Sequence, residues 1–99
     1  MKLWIDDVRS APAGYEWTKA VDMAKDIIRI NEHCHNPIEL IDIDHDAGNY
    51  VCYGGDYIKL LDWLEETGRN YPVRIHSMNP VGVENMRAII KRNNWKEVQ

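Results

Sequence analysis

Five aspartates fall in two short stretches of this chain: Asp6 and Asp7, then Asp42, Asp44 and Asp46. Carboxylates brought close together repel, so they either take up protons or share a cation. An all-oxygen donor set suits Mg²⁺ or Mn²⁺ better than zinc, and such an ion keeps coordination positions for water and phosphate oxygens. Across the chain, 16 acidic side chains face 12 basic ones, for a net charge of −4. Without the five aspartates the acidic count falls to 11 against the same 12, so the negative excess belongs to them. A second set, Arg9, His76, Ser77 and Asn79, offers phosphate ligands and a group that titrates near neutrality.

Each motif has a plainer reading. Asp6-Asp7 can simply end a strand and start a turn, and Asp44 and Asp46 can form a turn before Gly48. His76 can be a hydrogen-bonded core histidine, His45 an exposed loop residue and Asn79 a helix cap. Both acidic stretches standing at the ends of neighbouring strands makes coincidence a poor account of the pair. His33-Cys34-His35 with Cys52 is a weak zinc candidate, because three adjacent residues do not easily converge on one ion. Cys34 and Cys52 are expected to be two reduced thiols.

The elements that must position these groups follow from periodicity and breakers. Lys2 to Ile5 reads as a strand, Arg9 to Tyr15 as a loop and Glu16 to Lys19 as a second strand. Val21 to Glu32 reads as a helix, with Ala24, Ile27 and Ile28 on one face and Thr18 as the nearest capping side chain. Ile38 to Ile43 is a nearly continuous apolar run, as in a strand of a parallel sheet covered on both faces. Asp44 to Gly55 is a loop. Asp56 to Thr67 reads as a helix capped by Asp56 and stopped by Gly68, with Tyr57, Leu60, Leu61 and Leu64 turned inward. Val73 to Ser77 is a strand. Asn79-Pro80 starts a helix lined by Val83, Met86 and Ile90, and Trp95 to Val98 is a fifth strand.

This order implies one α/β domain over residues 1–99, a flavodoxin-like parallel sheet of order 2-1-3-4-5. Residues 6 to 15 are too few for a loop and a helix, so the first crossover helix is reduced or absent. Ligands of such sheets bind beyond the carboxyl ends of the strands. There Asp6-Asp7, Asp42 to Asp46 and His76 to Asn79 converge. Period-two alternation puts Asp42, Asp44 and Asp46 on one side if the strand stays extended. Composition indicates no extended nucleic-acid-binding face. No stretch is long enough to span a bilayer and no signal pattern opens the chain, so a cytoplasmic location is expected.

The segments Leu3-Trp4-Ile5-Asp6-Asp7-Val8-Arg9, Asp44-His45-Asp46-Ala47-Gly48 and His76-Ser77-Met78-Asn79-Pro80-Val81-Gly82 resemble the cyclic-phosphate processing receiver domain, over almost the whole chain. More distantly the chain resembles response-regulator receivers. That likeness matches Asp6-Asp7 to their acidic pair, Asp44 to their phosphoacceptor and Ser77 to their Ser/Thr. It departs from them at Lys96, which stands at the wrong end of the last expected strand. The family resemblance implies processing of cyclic phosphates of a nucleotide or RNA end.

The resulting expectation is divalent-metal-dependent hydrolysis of a phosphate ester. Asp6, Asp7, Asp44 and Asp46 would hold Mg²⁺ or Mn²⁺. Asp44, His76 and Asp46 would carry the chemistry, and Arg9, Ser77 and Asn79 would bind the substrate, a phosphorylated small molecule or nucleotide/RNA end. The alternatives are a phospho-ligand-binding module without turnover, and a degenerate receiver that docks a protein partner.

Overall fold

The computed structural model describes all residues, 1–99. Four parallel strands, β1 (Lys2–Ile5), β2 (Tyr15–Thr18), β3 (Leu40–Ile43) and β4 (Val73–Ile75), form one sheet in the order β2-β1-β3-β4. Helix α1 (Val21–His33) links β2 to β3, α2 (Ile58–Glu66) links β3 to β4, and α3 (Pro80–Arg92) follows β4. The connection from β1 to β2 holds no helix, as its length predicts.

Register sorts the strand residues onto two faces. Trp4 pairs with Trp17 and Asp42, and Asp42 with Arg74, so these four share one face. Leu3, Ile5, Ile41, Ile43 and Val73 occupy the other and form the core with all three helices. Val21, Ala24 and Ile28 come from α1, Leu60, Leu61 and Leu64 from α2, and Met86, Ile89 and Ile90 from α3. In α1 and α2 the helical spacing read from the sequence is the spacing of the buried stripes, whereas in α3 Val83, expected inside, is only partly buried and Gly82 and Ile89 join Met86 and Ile90 instead. Truncating one of these leucines to alanine costs about 2–5 kcal/mol.

Three expectations need correction. The fifth strand does not form: around Trp95 to Val98 there is one isolated parallel bridge, Val73 to Glu97. Strand β4 is only three residues long, and Trp95 turns into the helix-side core, which leaves little to pair. Asp56 does not cap α2, whose first helical residue is Ile58. Its carboxylate accepts instead from the Ala47 N–H (3.0 Å) and braces the loop after β3. Thr18 does not cap α1; its buried hydroxyl has no partner. The expected strands also shorten, β3 to Leu40–Ile43 and β4 to Val73–Ile75, and β2 shifts by one residue.

Candidate functional site

The parallel ladder runs one residue past β1, β3 and β4. Asp6 N–H donates to Thr18 O (3.3 Å), Asp44 N–H to Ile5 O (2.9 Å) and His76 N–H to Ile43 O (3.0 Å). These bonds set Asp6, Asp44 and His76 side by side at the carboxyl edge of the sheet. One potential ligand atom from each lies within 4.8 Å of the others.

His76 sits between two carboxylates that have no solvent exposure. Its Nδ1 is 2.7 Å from Asp42 Oδ1 and its Nε2 is 3.0 Å from Asp6 Oδ2. Ionised carboxylates only accept, so both contacts are hydrogen bonds when the ring carries a proton on each nitrogen. The ring also stacks on Trp4, with centroids 3.8 Å apart and planes 3° from parallel. Tyr15 hydroxyl and Arg74 Nη1 donate to the second oxygen of Asp42, each at 3.0 Å. On Asp6, Oδ1 accepts the N–H groups of Val8 (2.9 Å) and Arg9 (2.8 Å), and the Arg9 guanidinium stands 3.5 Å from Oδ2.

These contacts set the electrostatics. Burial would push Asp6 up, but the Arg9 and Val8 N–H groups and His76 outweigh it and hold the carboxyl below its ordinary 3.8. Burial likewise opposes ionisation of Asp42, and the hydrogen bonds from His76, Arg74 and Tyr15 win, so it too lies below 3.8. Burial, then the nearby charges of Asp7, Asp6 and Asp44, push the Tyr57 phenol up. The negative field of the cluster therefore reaches beyond its own side chains.

The other expected site residues divide. Asp44 is nearly buried (9% exposed), and one of its oxygens accepts the His45 N–H at 2.8 Å. Asp7 is half-buried and makes no hydrogen bond within the protein. A Cβ on Gly48 would collide with its carboxylate, which places Asp7 against the loop after β3. Asp46 does not join the group. Strand β3 ends at Ile43, the alternation stops with it, and Asp46 turns outward to bond His45 Nδ1 at 2.8 Å. His45 is not the exposed loop residue expected: its side chain is 15% exposed and packs against Gly82 at the start of α3. Asn79 caps α3 through Gly82 N–H (3.0 Å), and Ser77 Oγ accepts the Asn79 N–H (3.1 Å). Arg9 is exposed beside Asp6 and reaches the His76 carbonyl at 3.4 Å.

Sequence reasoning missed Trp4, Tyr15 and Arg74, and left Asp42 without a role. A usable signal was present. Trp4-x-Asp6, Asp42-x-Asp44 and Arg74-x-His76 repeat one spacing on three strands, which aligns them on one face. A carboxylate inside an apolar strand also needs a buried partner.

The family model of the cyclic-phosphate processing receiver domain matches residues 1–92. No curated protein and no solved structure matches the chain.

Proposed function

This chain belongs to the cyclic-phosphate processing receiver domain family, and from that membership we propose that its acidic edge binds and hydrolyses a cyclic phosphate ester with the help of Mg²⁺ or Mn²⁺. The observation that carries the reading is the convergence of Asp6, Asp44 and His76 within 4.8 Å at the ends of three neighbouring parallel strands. The donor chemistry fits a hard divalent ion. Asp7 is uncommitted and Asp44 has an oxygen to spare, while Asp6, whose oxygens face Val8, Arg9 and His76, would exchange the 3.5 Å Arg9 contact at Oδ2 for the ion. Asp6, Asp7 and Asp44 would hold the ion, whose chemistry is to neutralise phosphate charge and make bound water more acidic.

The remaining work falls to the chain's own groups. Arg9 stands exposed at the rim and offers its guanidinium to phosphate oxygens. The first turn of α3 adds partial positive charge and the Val81 N–H, with Ser77 and Asn79 at its entrance. His76 has both ring nitrogens committed, so its part is to hold Asp6 and Asp42 in place. The proton-transfer role passes to His45, whose Nδ1 is oriented by Asp46 and whose Nε2 has no protein partner.

The test is turnover of cyclic and linear phosphoesters by the purified protein, with Mg²⁺ or Mn²⁺ and with chelator, beside Asp44→Asn. Metal-dependent hydrolysis lost in the variant is expected. No turnover of any ester with either ion, or parental turnover by Asp44→Asn, overturns the reading. Full commitment of the His76 nitrogens also favours a second reading, binding of the ester without hydrolysis. Tight binding of an unaltered ester would identify it.

A further inference from the structure

A neutral imidazole carries one N–H and one lone pair, and an ionised carboxylate only accepts. His76 meets a carboxylate at each nitrogen, Asp42 Oδ1 at 2.7 Å from Nδ1 and Asp6 Oδ2 at 3.0 Å from Nε2. A single ring proton serves the shorter contact. The Nε2 lone pair then faces the Asp6 carboxylate, acceptor against acceptor, and a cation between the two turns repulsion into binding. The His76 side chain is 7% exposed and that of Asp6 is fully buried, so water screens the pair little.

The surroundings hold the ring in that aim. Trp4 lies flat against it, with centroids 3.8 Å apart, and Trp4 Nε1 is itself tied to Arg9 O at 2.8 Å. Asp42 is fixed in turn by Tyr15 and Arg74 on its second oxygen. A histidine that gives one N–H to a carboxylate and presents its other nitrogen is the usual arrangement of a metal-bound imidazole. The spacing agrees. Two ligands at right angles on an octahedral ion, each about 2.1 Å from it, stand about 3.0 Å apart. Nε2 and Asp6 Oδ2 are 3.0 Å apart, and an Asp44 oxygen completes a group whose members all lie within 4.8 Å.

We infer that His76 Nε2 is itself a ligand of the ion, beside Asp6, Asp7 and Asp44, and that this mixed nitrogen–oxygen set selects Mn²⁺ over Mg²⁺; the inference rests on the metal reading above. Mg²⁺ is hard and takes oxygen ligands, whereas imidazole nitrogen suits transition metals. The commitment of Nε2 to Asp6 is then kept through the ion. Asp42 and Trp4 become positioning residues, which act on the metal through the ring they orient.

Pulsed electron paramagnetic resonance of the Mn²⁺-loaded protein tests this apart from turnover, because a nitrogen bound to Mn²⁺ modulates the electron spin echo. That nitrogen modulation is expected in the parent and in His45→Gln, and is expected to vanish in His76→Gln. Titration calorimetry should show Mn²⁺ bound about tenfold more tightly than Mg²⁺, with the gap closing in His76→Gln. Should His76→Gln fail to fold, His45→Gln decides. His33 ends α1 and His35 follows it, ahead of the amino end of β3, so His76 is then the histidine left beside the cluster. Bound Mn²⁺ without nitrogen modulation, modulation lost in His45→Gln, or equal affinity for the two ions overturns the ligand and leaves the metal reading standing. No binding of either ion overturns both.

Discussion

His76 lies between two buried carboxylates within hydrogen-bond distance of each, and its removal takes one partner from both. His76→Ala is expected to destabilise the fold by about 1–3 kcal/mol, the usual cost of leaving a buried polar group short of a partner. Urea denaturation measures it, and a loss under 1 kcal/mol would show that Asp6 and Asp42 find other partners. Acid should act on the same pair. Both carboxyls are depressed in the folded state, so their stabilisation is fully present above their unfolded value near 3.8. It is lost as pH falls through the lower native values. Stability measured between pH 5 and 2 is expected to fall below about pH 4, and Asp42→Asn should flatten that fall. Asp6, Asp44 and His76 were legible as neighbours because strand ends and parallel order are written in the apolar pattern. The outward turn of Asp46 was not legible, because it depends on where β3 stops. Nor was the burial of His45, which depends on Gly82 leaving room for its ring.

Among the elements, α3 was the most legible: Asn79 caps it and Pro80 starts it, as the dipeptide predicts. Asn79→Ala is expected to cost about 1 kcal/mol in chemical denaturation. It should also weaken phosphate binding, because the Asn79 amide stands 3.5 Å from His45 Nδ1. The loop after β3 is constrained at Gly48, which has φ +55° and approaches Asp7 too closely for a Cβ. Gly48→Ala is expected to displace Asp7 and weaken Mn²⁺ binding, which calorimetry with the metal alone would show. Unchanged affinity would remove Asp7 from the donor set. The helix starts at Asp56 and Thr18 were misread because capping side chains are judged from type and spacing, whereas both turn to other surroundings here. The missing fifth strand has a similar cause. Trp95 is buried in the core, and the tail pairs with the three-residue β4 only at Val73, which exchanges hydrogen bonds with Lys96 and Val98.

For the whole molecule, the two faces of the sheet divide the labour. One builds the core with three helices, and the other carries Trp4, Asp42 and Arg74 beneath the acidic edge. No helix is long and apolar enough to cross a membrane. Concentrating the negative excess at one edge predicts that Mg²⁺ or Mn²⁺ raises the melting temperature. At a hundred times the dissociation constant the gain is about 2.7 kcal/mol, a shift on the order of 10 °C for a chain of this size. No shift with either ion in a thermal melt would count against a metal role for the edge. The clasp of His76 on Asp6 and Asp42 also bears on the order in which the chain folds. Its three members lie far apart in sequence, at 6, 42 and 76, and loops that long are slow to close. Until β4 docks, Asp42 lacks both Arg74 and His76 and keeps its hydration, so the β1–β3 pair forms around a wet seam that dries last. A contact made so late contributes little to the folding barrier and much to the unfolding barrier. In stopped-flow experiments His76→Ala should therefore leave the refolding rate nearly unchanged and speed unfolding, which makes the histidine a latch on the finished protein.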